Sequence, residues 1–258
     1  TIYVDTVPPA VSLISNTPAN QSVLSSSFIF INTSENDGGN NHNDFSAFID
    51  FNNSLVGYWR FEDDGDGGNA SDFTGYNNNG SLVGFGCTSL NCDLTGGAGG
   101  TGSGWTSSGK RGKALIFDAI DDQVNIPHNE AFNSSNMTVM FWMRPYPEQS
   151  GSSSSGVGGK GRPVNSGLSV NEGWAVGVSG GQIRFDSGNA THGNASYPGS
   201  GFNDARWHHV AVTRVGSTGT VTTYGDGVLL ASVTAEKSII GDIDDGSVMT
   251  IGRSESST

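Results

Sequence analysis

Ten short apolar runs, separated by turn residues and without a single 11-residue window of helical period, constrain this chain more than any other feature of it. The runs are Leu55 to Phe61, Ala114 to Phe117, Val124 to Ile126, Met137 to Met143 and Trp174 to Val178, then Ile183 to Phe185, Trp207 to Val215, Val221 to Tyr224, Val228 to Val233 and Val248 to Ile251. Residues that alternate in polarity face opposite sides of a pleated strand, whereas a helix needs apolar residues three and four apart. The expected fold class is therefore all-β, an antiparallel two-sheet jelly-roll sandwich. Asp226-Gly227 lies between two of the runs, as a two-residue type I′ hairpin requires. Met137 to Met143 is apolar on both faces and is expected to be a central strand. Composition points the same way, with 39 Gly, 35 Ser and 19 Thr among 258 residues and only 14% charged. The Gly/Ser segments around Gly86 to Gly104 and Ser150 to Gly161 read as long mobile loops.

The chain divides before the first of these runs. Residues 1–6 read as an orphan strand, ended by Pro8-Pro9, which look like a domain boundary. Residues 7–52 hold three further strand candidates, Val11 to Ile14, Ser27 to Asn32 and Phe45 to Phe51, too few to enclose a core. Residues 53–258 form the main domain.

Twelve Lys and Arg against 25 Asp and Glu leave a net charge of −13. Nucleic acids and anionic bilayers would be repelled, so neither is an expected partner. No run approaches 18 apolar residues and no basic, apolar leader stands at residue 1, so membrane insertion within this chain is not expected. Cys87 and Cys92, four residues apart in a Gly-rich stretch, suit one small disulfide loop in an oxidising compartment, free thiols being the alternative. The five histidines are scattered or adjacent, which does not suit zinc. Asn-X-Ser/Thr sequons occur at Asn20, Asn32, Asn52, Asn69, Asn79, Asn133, Asn136, Asn189 and Asn194, each a glycosylation candidate if exposed in a secreted chain. Acidity, the cysteine pair and the sequons favour an extracellular or cell-surface location.

Seven blocks in order carry a resemblance. They are Leu55-Val-Gly-Tyr-Trp-Arg-Phe-Glu62, Gly75-Tyr-Asn-Asn-Asn-Gly80, Gly109-Lys-Arg-Gly-Lys-Ala-Leu-Ile-Phe-Asp118, Met137-Thr-Val-Met-Phe-Trp-Met-Arg-Pro145, Trp207-His-His-Val-Ala-Val-Thr213, Asp226-Gly-Val-Leu-Leu-Ala231 and Met249-Thr-Ile-Gly-Arg253. Together they resemble the concanavalin A-like, laminin-G-type jelly roll over residues 53–258. The family's pattern continues with one more strand after the Ile-Gly-Arg block, which these residues do not include, and it has no counterpart for the expansion from Gly86 to Ser103. The first fifty residues resemble part of an Ig-like domain of modular prokaryotic surface proteins.

Glycosidases need two carboxylates across a cleft. None of the seven glutamates sits in the Glu-X-Asp-X-Glu pattern of related glucanases, and no enzyme activity is expected. Calcium suits an acidic sandwich better, because it takes six to eight oxygens. The likeness to pentraxins implies Asp121 and Asp122 as ligands, with Glu255 in the following loop, while a plain polar turn made by Asp118, Asp121 and Asp122 is the other reading. Glu62 to Gly67 has the alternate acids of a calcium loop but Phe73 at its twelfth position, which leaves a solvated acidic turn. Trp59, Trp105, Trp142, Trp174 and Trp207 are expected to pack in the core or sheets. His208 and His209 fall on opposite faces of a strand and cannot share one site. The expected function is a non-catalytic module for glycan binding and adhesion. The alternative is a structural subunit of an extracellular filament or surface layer, a homopolymer built with neighbouring chains by β-strand complementation.

Overall fold

The computed structural model describes residues 10–13, 33–36, 54–63, 68–86, 103–118, 120–145, 155–161, 173–188, 193–196, 198–234 and 246–252. The chain forms two units, Thr1–Asn53 and Ser54–Thr258. The first contains β1 (Ala10–Leu13) paired antiparallel with β2 (Thr33–Asn36). The candidate strands at Ser27 to Asn32 and Phe45 to Phe51 lie outside the described residues, as do residues 1–6.

The second unit opens with β3 (Asn69–Ala70), β4 (Gly80–Val83), β5 (Gly104–Thr106), β6 (Ala114–Ile116) and β7 (Gln123–Ile126). A single 3₁₀ turn, Glu130–Phe132, follows, capped by the Asn129 side chain accepting from the Ala131 N–H. Next come β8 (Met137–Met143), β9 (Ser155–Gly161), β10 (Gly173–Ser179), β11 (Gln182–Gly188) and β12 (Gly193–Ser196). The series ends with β13 (His208–Val215), β14 (Thr220–Gly225), β15 (Val228–Thr234) and β16 (Met249–Ile251). Eight strands form one sheet in the order β12-β11-β10-β9-β16-β7-β4-β3, four form another in the order β15-β14-β13-β8, and β5 pairs with β6. All the pairings are antiparallel.

The alternation read from the sequence builds the core between the two sheets. Val124, Ile126, Met249, Trp174, Val176, Ile183 and Phe185 of the larger sheet join Met143, Val210, Val212 and Val221 of the smaller in one buried cluster. Burial of such side chains stabilises by about 1.5–3 kcal/mol each. The turn at Asp226 and Gly227 has φ of 51° and 79° between β14 and β15, the two positive values a type I′ hairpin requires.

Three expectations are corrected. Ser155–Gly161 is a strand at the middle of the larger sheet, and Gly104 opens β5, although both fall in stretches read as loops. Glycine is needed in β9 because its neighbours approach closely: a Cβ on Gly158 would lie 3.0 Å from the Thr250 carbonyl and one on Gly159 2.5 Å from that of Trp174. Leu55 to Phe61 is not a strand; only Trp59 makes a bridge, to Asp72. Side chains take its backbone groups instead, the Tyr58 N–H donating to Asp72 Oδ1 at 2.9 Å and the Val56 carbonyl accepting from Asn78 Nδ2 at 2.7 Å. Finally, β8 is not flanked by strands on both sides among the described residues. Among the described residues its only strand neighbour is β13, and it forms an edge of the four-stranded sheet. Its second apolar face is open to solvent, with Met140 49% and Trp142 44% exposed. Trp142 packs within the sheet, its ring against that of His209 on β13, rather than in the core.

Candidate functional site

The turn between β6 and β7 gathers three carboxylates. Asp118 Oδ1 accepts from the Ile120 N–H at 2.8 Å, which bends the chain back on itself. Asp122, 3% exposed, then reaches in the opposite sense: Oδ2 accepts from the Asp118 N–H at 2.6 Å and Oδ1 from the Ser103 hydroxyl at 3.0 Å. Ser103 Oγ in turn accepts from the Gly86 N–H at 2.9 Å, so one buried carboxylate ties three chain segments together. Gly84, at φ +85°, lies so close that a Cβ there would stand 2.4 Å from the Asp121 carbonyl. Ligand oxygens of Asp118, Asp121 and Asp122 all lie within 4.8 Å of one another, from a half-buried, an exposed and a buried residue respectively.

Burial pushes the Asp122 carboxyl above the usual carboxylate range, and the charge of Asp118 adds to the shift against the hydrogen bonds that oppose it. A donor set made only of carboxylate oxygens suits a hard divalent cation such as calcium and not zinc. Sequence reasoning had named all three residues. It had not found Ser103, which sits seventeen or more positions from the groups it bridges. Glu255 lies outside the described residues, as do Cys87 and Cys92.

The sequons are distributed unevenly. Asn69, Asn79, Asn133 and Asn136 are exposed; Asn194 lies in β12; Asn20, Asn32, Asn52 and Asn189 lie outside the described residues. The acidic loop after Glu62 is only partly described, and Glu62 itself accepts from the Lys113 N–H through both oxygens at 3.2 Å.

Two histidines separate as their alternation demands. His209 turns outward and packs its ring 5.2 Å from that of Trp142, over which Lys110 Nζ also stands at 4.7 Å. His208 is held between Asp226, 2.8 Å from Nδ1, and Asp204, 2.9 Å from Nε2. Burial alone would lower its pKa, but the two carboxylates outweigh that and raise it above 6.5. Asp204, through its bond to His208, titrates below 3.8, and so does Asp226, where the same bond overcomes partial burial. A raised histidine contributes stability below its unfolded pKa and loses it as pH rises; lowered acids contribute above theirs and lose it as pH falls. The difference in stability between the wild type and His208→Gln is accordingly expected to be greatest between pH 3.8 and 6.5 and to shrink on both sides, as urea titrations at several pH values would show.

A family model described as the concanavalin A-like lectin/glucanases superfamily matches residues 118–258, from Asp118 through β16. The chain belongs to that superfamily. Among curated proteins none matches it. Similar solved structures include domain 4 of AbnA, a GH43 extracellular arabinanase from Geobacillus stearothermophilus in complex with arabinotriose, at 19% identity over 70% of this chain and 77% of that one, with a TM-score of 0.45. Domains LG4-5 of the mouse laminin α1 chain are 15% identical over 50% of this chain, with a TM-score of 0.39. This chain spans only 31% of that laminin chain. The Ruminococcus gnavus IT-sialidase CBM40 is 11% identical over 44% of this chain and 62% of its own, with a TM-score of 0.34. The superfamily match begins at the carboxylate turn itself and includes every strand of the four-stranded sheet.

Proposed function

We propose that residues 54–258 are a non-catalytic, extracellular glycan-binding module assisted by calcium. The observation that carries this reading is the turn of Asp118, Asp121 and Asp122, three carboxylates within 4.8 Å in a chain of the lectin and glucanase superfamily. Asp122 acts as scaffold, leaving Asp121, which is exposed, and Asp118 to face a cation. Calcium there would neutralise carboxylate repulsion and offer open coordination positions to sugar hydroxyls. Binding is favoured over hydrolysis by the roles of two glutamates of this unit: Glu62 holds the Lys113 backbone, and Glu130 accepts from Asn133 beside the 3₁₀ turn.

A ligand that prefers the folded state stabilises it by about 2.7 kcal/mol at one hundred times its Kd. Calcium is therefore expected to raise the melting temperature, chelator to reverse the rise, and Asp121→Asn to abolish the response while leaving the calcium-free melting temperature unchanged. Glycan-array binding should follow the same pattern. A melting curve indifferent to both calcium and chelator in the wild type would return the three aspartates to the role of a polar turn.

A further inference from the structure

We propose that the outer face of the four-stranded sheet carries a second glycan subsite, one that takes a linear anionic oligosaccharide without calcium and reads its charge through Lys110. This subsite goes beyond the calcium-assisted reading and rests on it only for the class of ligand. It needs no open strand edge, because its groups project from the face of the sheet.

Register sets these groups out in rows. In each strand the residues between the core side chains share the opposite side. Across β8, β13, β14 and β15, Thr138 stands opposite Thr213, Thr213 opposite Thr222 and Thr222 opposite Ser232. One row is therefore made of hydroxyl side chains, the last two bonded to each other at 3.1 Å. The neighbouring row is apolar, Met140 opposite Ala211, Ala211 opposite Tyr224 and Tyr224 opposite Leu229. Strands lie about 4.8 Å apart, so each row extends about 14 Å across the sheet. A sugar chain laid across the strands meets both rows with the matching chemistry. Its ring hydroxyls, each a donor and an acceptor, face side chains that are the same, and the C–H side of its rings faces the apolar row.

Charge decides the occupant. None of the four strands contains Asp or Glu, although the chain has 25 such residues. Next to the apolar row, Lys110 Nζ stands 4.7 Å from the centre of the Trp142 ring, and the His209 ring lies against the same indole. Arg144, two residues beyond Trp142, stands over Trp207 at 6.0 Å. Two cations held on two indoles make an anion-attracting corner in a chain of net charge −13. Lys110 is exposed, and an indole orients its ammonium without neutralising it, so the charge stays available to a sugar carboxylate.

Isothermal titration calorimetry of the full chain in chelator should show β-1,4-linked oligoglucuronate binding, with an affinity that falls as salt is raised. Cello-oligosaccharide of the same length, the neutral sugar with the same linkage, should bind about tenfold more weakly or less, the loss of one charge-assisted hydrogen bond. Lys110→Gln should weaken oligoglucuronate by a similar factor and leave cello-oligosaccharide unchanged, whereas Thr213→Val should weaken both. Arg60→Gln removes another cation that stands over a ring, 5.1 Å from that of Phe73, and should change neither. No binding in chelator, equal affinity for the two sugars, a Lys110→Gln protein that holds oligoglucuronate as tightly as Arg60→Gln does, or a Thr213→Val protein indistinguishable from wild type would each overturn the proposal. Any of these beside an intact calcium response strikes this subsite alone. Oligoglucuronate bound by a chain whose melting ignores calcium strikes the calcium reading alone.

Discussion

Asp72→Ala is expected to lower the melting temperature by roughly 6–12 °C, which corresponds to about 3 kcal/mol for a domain of this size. Asp72 accepts four hydrogen bonds: Oδ1 from the N–H groups of Tyr58 and Thr74, both at 2.9 Å, and Oδ2 from the Thr74 hydroxyl at 2.7 Å and the Asn78 N–H at 2.9 Å. Burial pulls its pKa upward, yet these donors together bring it below 3.8. Alanine would leave the donors of a buried turn without an acceptor, the costly half of a hydrogen bond to lose. Asn78 is fixed by the same turn, and it supports Trp59 through its carbonyl and Asn129 through Oδ1, at 2.9 and 2.7 Å. Asp72→Asn keeps one acceptor oxygen and is expected to cost about half as much. Thermal unfolding followed by near-UV circular dichroism measures both; an Asp72→Ala protein melting within a degree or two of wild type would show that water replaces the carboxylate without penalty.

Gly159→Val is expected to cost about 3 kcal/mol or more and to loosen the larger sheet at its middle. A Cβ at this position would sit 2.5 Å from the Trp174 carbonyl and 3.1 Å from Ala175 Cα and Cβ. Neither is the free end of a flexible side chain, so the strands themselves must separate. β9 joins β10, β11 and β12 to β16, β7, β4 and β3, and displacing it divides the sheet into two parts. Valine is a strong strand former, and propensity alone would count the change as stabilising. Gly75→Ala is the matched control, with nothing within 4 Å of the added carbon, and is expected to change stability by less than about 0.5 kcal/mol. Urea midpoints for the three proteins would decide; a Gly159→Val midpoint equal to wild type would mean that the packing around β9 yields easily.

These two positions show where sequence reasoning reaches its limit. β9 was hidden because glycine is both the residue of loops and the residue of strands too close to their neighbours for a side chain, and composition does not distinguish them. Leu55 to Phe61 was misread for the opposite reason. Its alternation is that of a strand, but Asp72 and Asn78, fourteen and more residues away, hold its backbone groups in place of a ladder. The carboxylate turn was legible because three acids stand within five positions. Its tie to Gly86 through Ser103 was not, since nothing in a serine's local surroundings marks it as the partner of a distant aspartate.

By itself the sequence determined that this chain is all-β, because period-2 alternation with turn residues at short intervals permits no long amphipathic helix and directs one face of each strand into a common core. It also set the hairpin at Asp226-Gly227, since the backbone of that turn admits few other residues. Which strands become neighbours was decided by tertiary structure alone. Met137 to Met143 has the composition of a central strand, yet among the described residues it has a strand on one side only, because strand order depends on where distant segments pair, and an apolar face looks the same in sequence whether a second layer covers it or solvent does.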